Sequence, residues 1–250
     1  MPSNKGMQNE ELIVEALNNK KYEDINPNLQ TMIRDIFGYQ DNDEMVCAEQ
    51  MEGVFKPDIK VKIKDVTKYI SIKEGRANMV HGENIKTFIQ YLRAHGVSTR
   101  TQKIILYYHF GDGTMVGNGK ERKSAYAVTA WLHKYIREAN QELNTNKELI
   151  NDFLKRAMYQ GVDENAPTVD YIYFGTPEYG VTVSKKQIET YVNRRDWKYY
   201  DNLHIGPIFI KPHARYAHKK IVSVERREKV HCYWPNLPMD LDRISKRFSF

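Results

Sequence analysis

Between residues 54 and 73 the chain alternates apolar and polar side chains twice over, and no other stretch restricts its fold as strongly. In Val54-Phe55-Lys56-Pro57-Asp58-Ile59-Lys60-Val61-Lys62-Ile63-Lys64 the spacing has the period of a half-buried strand. Tyr69-Ile70-Ser71-Ile72-Lys73 repeats it after a short connection, which predicts two adjacent strands. Helical periodicity surrounds the pair. Leu12, Ile13, Ala16 and Leu17 form one stripe, and Leu29, Met32, Ile33 and Ile36 another, parted by Asn26-Pro27. Phe37-Gly38 closes the second helix, and Asp41-Asn42-Asp43 predicts the cap of a third, running to Met51. On the other side, 74–82 reads as a polar loop. Ile85, Phe88, Ile89 and Leu92 predict a helix ended by Gly96, and 103–108 a buried strand.

The second half continues the mixture, with helices expected at 125–139, 147–159 and 187–193 and strands at 169–174, 208–210, 221–224 and 230–234. Helices and strands mixed in this way imply an α/β (α+β) fold, a central mixed sheet flanked by helices. An amino-terminal helical segment, 1–42, is expected to precede one larger domain, 43–250.

Composition narrows the class. With 250 residues, 41% of them hydrophobic, the chain can bury a sizeable core. A mean hydropathy of -0.67 and no apolar run near the roughly 20 residues of a membrane helix predict a soluble protein with no membrane partner. The start, Met1-Pro2-Ser3-Asn4-Lys5, lacks the apolar core of a signal peptide, so a cytoplasmic location is expected. Cys47 and Cys232 are too few for a zinc knuckle or a disulfide framework, and none of the eight histidines forms an HxxxH or HExxH pair. A net charge of +6 leans toward polyanions. So do the interleaved basic and aromatic runs Trp197-Lys198-Tyr199-Tyr200 and His213-Ala214-Arg215-Tyr216-Ala217-His218-Lys219-Lys220, which suit phosphate contacts and base stacking.

The chemistry concentrates between Glu52 and Glu83. Ser71 and Lys73, two apart on a strand, share a face, and Asp58 can join them if the two strands pair. Glu83 is expected to open the following helix and return over the strand, and Glu52 to end the preceding helix. Hard carboxylate oxygens hold Mg2+, and a nearby lysine orients an attacking water or stabilises a charged transition state. The alternative is a cross-strand ion pair of Asp58 and Lys73 on a solvated face.

Pro57-Asp58 followed by Ser71-Ile72-Lys73 resembles the PD-(D/E)xK signature of restriction-endonuclease-like nucleases, over about residues 43–110. Ser71 stands where that family usually has an acid. The chain is similar in this to type II restriction enzymes with Ser-x-Lys, and more widely to phage- and defence-associated nucleases. The resemblance implies a catalytic core at about 43–110 and a substrate-binding elaboration at about 111–250. It implies Mg2+, with Mn2+ able to substitute, held by Asp58, Glu83, the Ile72 carbonyl and Glu52. Lys73 would orient the water and Ser71 support the site. It also implies double-stranded DNA as substrate, a homodimer or larger, and restriction or antiphage defence.

His81 is a further candidate for substrate contact. The glycine-rich run His109-Phe110-Gly111-Asp112-Gly113-Thr114, continued by Asn118, Lys120, Arg122 and Lys123, reads as a DNA-contacting loop or as an ordinary surface hairpin. Arg215 and Lys219 belong to late basic clusters suited to phosphates. Three rivals stay open: a structure-selective nickase or RNase on the same core, a non-catalytic nucleic-acid-binding protein, and a protein-interaction module.

Overall fold

The computed structural model describes residues 5–53, 55–75, 78–119, 123, 125–198, 201–213 and 224–247. The chain divides into two compact units, one from Met1–Asn78, Lys155–Val192 and Asn236–Phe250, the other from Met79–Leu154 and Asn193–Pro235.

The first unit begins with α1 (Lys5–Leu17), β1 (Lys20–Lys21), α2 (Pro27–Phe37), β2 (Met45–Gln50), β3 (Ile59–Ile63) and β4 (Val66–Lys73). The second unit then takes β5 (Met79–Asn84), α3 (Ile85–Ala94), α4 (Thr99–Phe110), α5 (Ala125–Thr145) and α6 (Lys147–Leu154). A π-helical stretch, Lys155–Gln160, leads back to β6 (Tyr171–Gly175), β7 (Gly180–Ser184) and α7 (Lys185–Asn193). The second unit is completed by β8 (His204–Ile205), β9 (Ile208–Pro212), α8 (Val224–Arg227) and β10 (Lys229–Tyr233), and α9 (Leu237–Arg247) belongs to the first.

The sheet of the first unit runs β1-β2-β3-β4-β6-β7, antiparallel throughout except for the parallel pair β4–β6. This is the mixed sheet flanked by helices that the sequence predicts. β3 shows the expected alternation, with Ile59, Val61 and Ile63 buried and Lys60 and Lys62 between them. β4 starts exposed, but Ile70, Ser71 and Ile72 are all buried where the strand lies between β3 and β6. Against this sheet α1 and α2 lay Ile13, Leu17, Leu29, Met32 and Ile33. Both helices of the amino-terminal segment thus contribute buried side chains to the cluster against this sheet. α2 is bounded by its sequence: the Asn26 side chain accepts from the Leu29 N–H at 2.9 Å, and Gly38, at φ +81°, ends it. α1 is turned from the expected phase. Asn9, Ile13 and Leu17 are buried while Leu12 is 53% exposed, and the Asn9 amide donates to the Gly175 carbonyl at 2.8 Å.

Three expectations are corrected. Residues 41–51 form no helix; 45–50 are β2, with Val46 and Ala48 buried at every second position and Glu49 paired to Lys60 of β3 at 2.9 Å. Residues 103–108 are not a strand but the body of α4, because the Ser98 hydroxyl accepts from the Thr101 N–H and Gly111, at φ +63°, closes a twelve-residue helix. Helix capping outweighs the strand propensity of Ile104-Ile105. Part of the expected loop 74–82 is β5, whose partner β10 lies far along the chain. Strand β7 and helix α9 were not anticipated, and residues 221–223 of an expected late strand lie outside the described residues.

The sheet of the second unit runs β5-β10-β9-β8, all antiparallel. Phe88 and Phe153 pack at 5.7 Å between centroids in its core, and Trp234 is fully buried. Among the described residues no helix is long and apolar enough to cross a membrane.

Candidate active site

Asp58 stands one residue ahead of β3, yet its main chain already belongs to the ladder. Its N–H donates to the Ile70 carbonyl at 2.9 Å and its carbonyl accepts from the Met51 N–H at 2.9 Å. Backbone bonds on both sides hold the residue in place between β2 and β4. Its Oδ2 atom accepts from the Ser71 hydroxyl at 2.9 Å, from the Ile72 N–H at 2.6 Å and from the Lys73 ammonium at 3.3 Å. Lys73 Nζ also donates to the Ile72 carbonyl at 3.0 Å. Asp58, Ser71 and Lys73 are thus brought together as the alternation predicts.

The Asp58 and Lys73 side chains keep 20% and 24% of their surface, whereas Ser71 is 2% exposed. A pair that open to water contributes at most about 1 kcal/mol to stability. What the arrangement provides is a carboxylate, an ammonium and a main-chain carbonyl converging at an accessible point. Ser71 adds no charge and spends its donor on Asp58, so this strand brings no second acid.

A further acid that sequence reasoning did not consider is Glu10 of α1. Glu10 is half-buried, and its carboxylate accepts from the Gln50 amide, at the end of β2, at 3.1 Å. Burial and then the negative charge of Asp58 raise its pKa above the ordinary Glu value; the Gln50 hydrogen bond and the charge of Lys73 oppose the rise. The charges of Asp58 and Lys73 thus both act on the Glu10 carboxylate. One signal could have found it. Glu10 precedes Ile13, Val14 and Leu17 by three, four and seven residues, which makes it a charge on the apolar stripe of a helix.

Glu52 occupies no helix. It is exposed in the connection after β2, and the residue that reaches α1 is Gln50. Glu83 lies in β5 of the second unit and does not open α3, whose cap is Asn84. Its carboxylate is 3.0 Å from His81 Nε2, and both side chains are buried, at 3% and 5% exposure.

In the glycine-rich loop Asn118 and Lys123 are exposed. Asp112 organises the loop from within: its carboxylate accepts from the N–H and hydroxyl of Thr114, at 2.9 and 2.8 Å, and from the Gly119 N–H at 3.0 Å. Gly119 is required there, since a Cβ would lie 2.3 Å from the Asp112 carbonyl oxygen. Lys120, Arg122, Arg215 and Lys219 lie outside the described residues.

The donors around Asp58 fit a small divalent cation. Asp58, Glu10, the Ile72 carbonyl and the Gln50 side chain carry hard oxygen atoms, and a cation nearby would offset the burial and the negative charge that raise the Glu10 pKa. Among the described residues no three His, Cys, Asp or Glu side chains converge. Mg2+ commonly keeps several waters and takes only one or two carboxylates from a protein.

No protein-family model and no curated protein matches the sequence. Among solved structures, the chain is similar to restriction endonuclease MspI, crystallised in complex with its cognate DNA, with a TM-score of 0.51 and 10% identity over 91% of this chain and 88% of that one. At that identity the likeness is one of fold. The six-stranded mixed sheet that carries Asp58, Ser71 and Lys73, flanked by helices, is a restriction-endonuclease-like architecture.

Proposed function

We propose that this chain is a divalent-metal-dependent endonuclease acting on double-stranded DNA, with Asp58, Glu10 and Lys73 at its cleavage site. The observation that carries the reading is the meeting of Ser71, Ile72 and Lys73 on Asp58 Oδ2, with Glu10 electrostatically coupled to the same carboxylate. The likeness to an enzyme bound to DNA and the net charge of +6 support the substrate class.

In this reading Glu10 takes the place that sequence alone gave to Glu52 and Glu83. Asp58 and Glu10, with the Ile72 carbonyl, would hold Mg2+ or Mn2+. When bound, the metal supplies a Lewis acid for phosphate oxygens and an acidified water. Ser71 and the Ile72 N–H engage Asp58 Oδ2 and so help to fix the carboxylate's orientation. Lys73, steered by Asp58 and the Ile72 carbonyl, orients the attacking water and faces the charge that grows on the phosphate. A homodimer would bring one such site to each strand, and restriction or antiphage defence is the role that fits.

The test is plasmid cleavage with Mg2+ or Mn2+, comparing wild type with folded Asp58→Ala and Lys73→Met, alongside the solution mass. Metal-dependent cutting is expected, reduced in each variant on the order of 100- to 1,000-fold, the size of losing one electrostatic catalyst. Undiminished cutting by both variants would sink the assignment. Ser71 in the usual place of an acid favours one rival, a non-catalytic DNA-binding protein. That protein would bind DNA without metal and cut nothing.

A further inference from the structure

A separate feature lies on one face of the second unit's sheet. β9 and β10 pair with Val230 opposite Pro212 and His231 opposite Lys211. One residue past β9 the ladder continues, the His213 N–H donating to the Lys229 carbonyl at 3.0 Å. His213 and His231 are therefore diagonal neighbours on the same face, with Lys211, Lys229 and Tyr233, while Val230 and Cys232 turn to the buried side. The sheet fixes the main chain of both histidines. The His231 ring also lies against β5, where a Cβ on Gly82 would stand 3.3 Å from its Cδ2 atom.

The two Nδ1 atoms are 3.2 Å apart, and the Tyr233 hydroxyl is 3.2 Å from the Nδ1 of His231. An imidazole nitrogen offers one in-plane position, a lone pair or an N–H, so a second imidazole and a phenol compete for that of His231. A metal ion uses the same atoms differently. Two imidazole nitrogens bound to one tetrahedral metal stand roughly 3.3 Å apart, close to the spacing here. The rings lie 4.0 Å apart between centroids at 39°, and His213 is exposed, so its ring has room to swing its lone pair toward that of His231. The neighbouring ammonium groups are engaged elsewhere: Lys229 with Glu225 at 3.1 Å, and Lys211 over the Phe209 and Tyr233 rings, 5.5 and 5.8 Å from their centroids. Their charge favours an anion among the other ligands of a metal bound beside them.

We propose that His213 and His231 bind one divalent transition-metal ion of the kind imidazole prefers, Zn2+, Ni2+ or Cu2+, through their Nδ1 atoms, with the Tyr233 hydroxyl beside it and the remaining positions open to water or an anion. The bound ion clips the end of β9 to β10 across 18 residues of chain. Ligand softness sets the site apart from the oxygen donors around Asp58, which suit Mg2+. The proposal does not depend on the cleavage site.

The experiment is isothermal titration of the full chain with Ni2+ in excess Mg2+, which occupies carboxylate centres and leaves imidazoles free. One saturable equivalent is expected. His213→Ala removes an exposed side chain, so the fold is kept, and it should weaken binding by about tenfold or more, the loss that even an outer partner of a metal ligand causes. His231→Ala should do the same, and Asp58→Ala should leave the affinity unchanged. Electron paramagnetic resonance with Cu2+ identifies the ligands directly: nitrogen splitting from two imidazoles in wild type, from one in each histidine variant. Because the ion binds the folded chain, Ni2+ should also raise the thermal midpoint of wild type and not that of His213→Ala. Absence of saturable Ni2+ binding, binding equal in wild type and both histidine variants, or a Cu2+ spectrum without nitrogen splitting overturns the proposal.

Discussion

Replacing Glu10 by Gln separates the demands of folding from those of catalysis at one atom. In the fold the Glu10 carboxyl ionises less readily than in an unfolded chain, because it is half-buried and faces the charge of Asp58. The folded state therefore holds that proton more tightly. The resulting stability is present below the ordinary Glu pKa and is lost as pH rises through the raised one. Gln is isosteric, carries no charge, and keeps an oxygen for the Gln50 amide. The metal-free Glu10→Gln protein should thus match wild type at acid pH and exceed it at pH 8. Relieving one unfavourable charge is commonly worth about 0.5–1 kcal/mol. For 250 residues that is a rise in thermal midpoint of roughly 2 °C. Cleavage should move the other way, falling on the order of 100-fold with the loss of one anionic ligand. Scanning calorimetry at pH 4.5 and 8 without metal, beside plasmid cleavage at pH 8, reads both effects. A Glu10→Gln protein less stable than wild type at pH 8, or an identical gain at both pH values, refutes the electrostatic reasoning.

Glu83→Ala should act on stability, costing about 3 kcal/mol by breaking the buried contact between Glu83 and His81, while a variant kept cold enough to stay folded still cuts DNA. Loss of metal-dependent cleavage in that folded protein would instead return Glu83 to the metal ligands. His204, 1% exposed, has its pKa lowered to about 4 by burial, below the ordinary 6.5. It is neutral in the fold, so its contribution is complete above pH 6.5 and is lost as pH falls toward 4, about 3 kcal/mol in all. His204→Asn, which keeps a donor for the Gly206 carbonyl, should flatten that part of the denaturant-midpoint profile, and an unchanged slope would count against it. Gly119→Ala places a methyl 2.3 Å from the Asp112 carbonyl oxygen and should destabilise the loop by about 1–3 kcal/mol, read as faster proteolysis between 109 and 123.

What the sequence disclosed follows from how local each signal is. Asp58, Ser71 and Lys73 were legible because a period of two on paired strands fixes which side chains meet, and β3 and β4 are joined by a short turn. The ends of α2 were legible from Asn26 and Gly38 for the same reason. β5 was not, since its partner is about 150 residues away in β10 and its own residues, Met79 to Asn84, carry little apolar alternation. α4 was misread because Ile104-Ile105-Leu106 suits a buried strand or a buried helix equally, and only Ser98 and Gly111 decide. Glu83 was expected to open a helix from its distance along the chain and from the resemblance, and local sequence could not reveal that it lies in a strand whose partner is distant.

Glu10 shows the same limit from inside the site. Its place is set by helix rotation, and the rotation is set by Asn9, a polar residue that propensity assigns to the surface. With the Asn9 amide donating to the Gly175 carbonyl, α1 turns to bury positions 9, 13 and 17, and Leu12 is left in solvent. The phase expected from Leu12, Ile13 and Leu17 instead puts a different face on the sheet. This buried hydrogen bond accompanies the rotation of α1 that leaves Glu10 half-buried and bonded to Gln50. The coupling has a consequence for evolution of the site. Under the proposed function, with Ser71 rather than an acid on β4, a second carboxylate has to come from another element, and the Asn9 to Gly175 contact helps to orient the helix that carries Glu10. Asn9→Leu would keep the helix and its burial yet release its rotation, and the raised pKa of Glu10 is where that release would register.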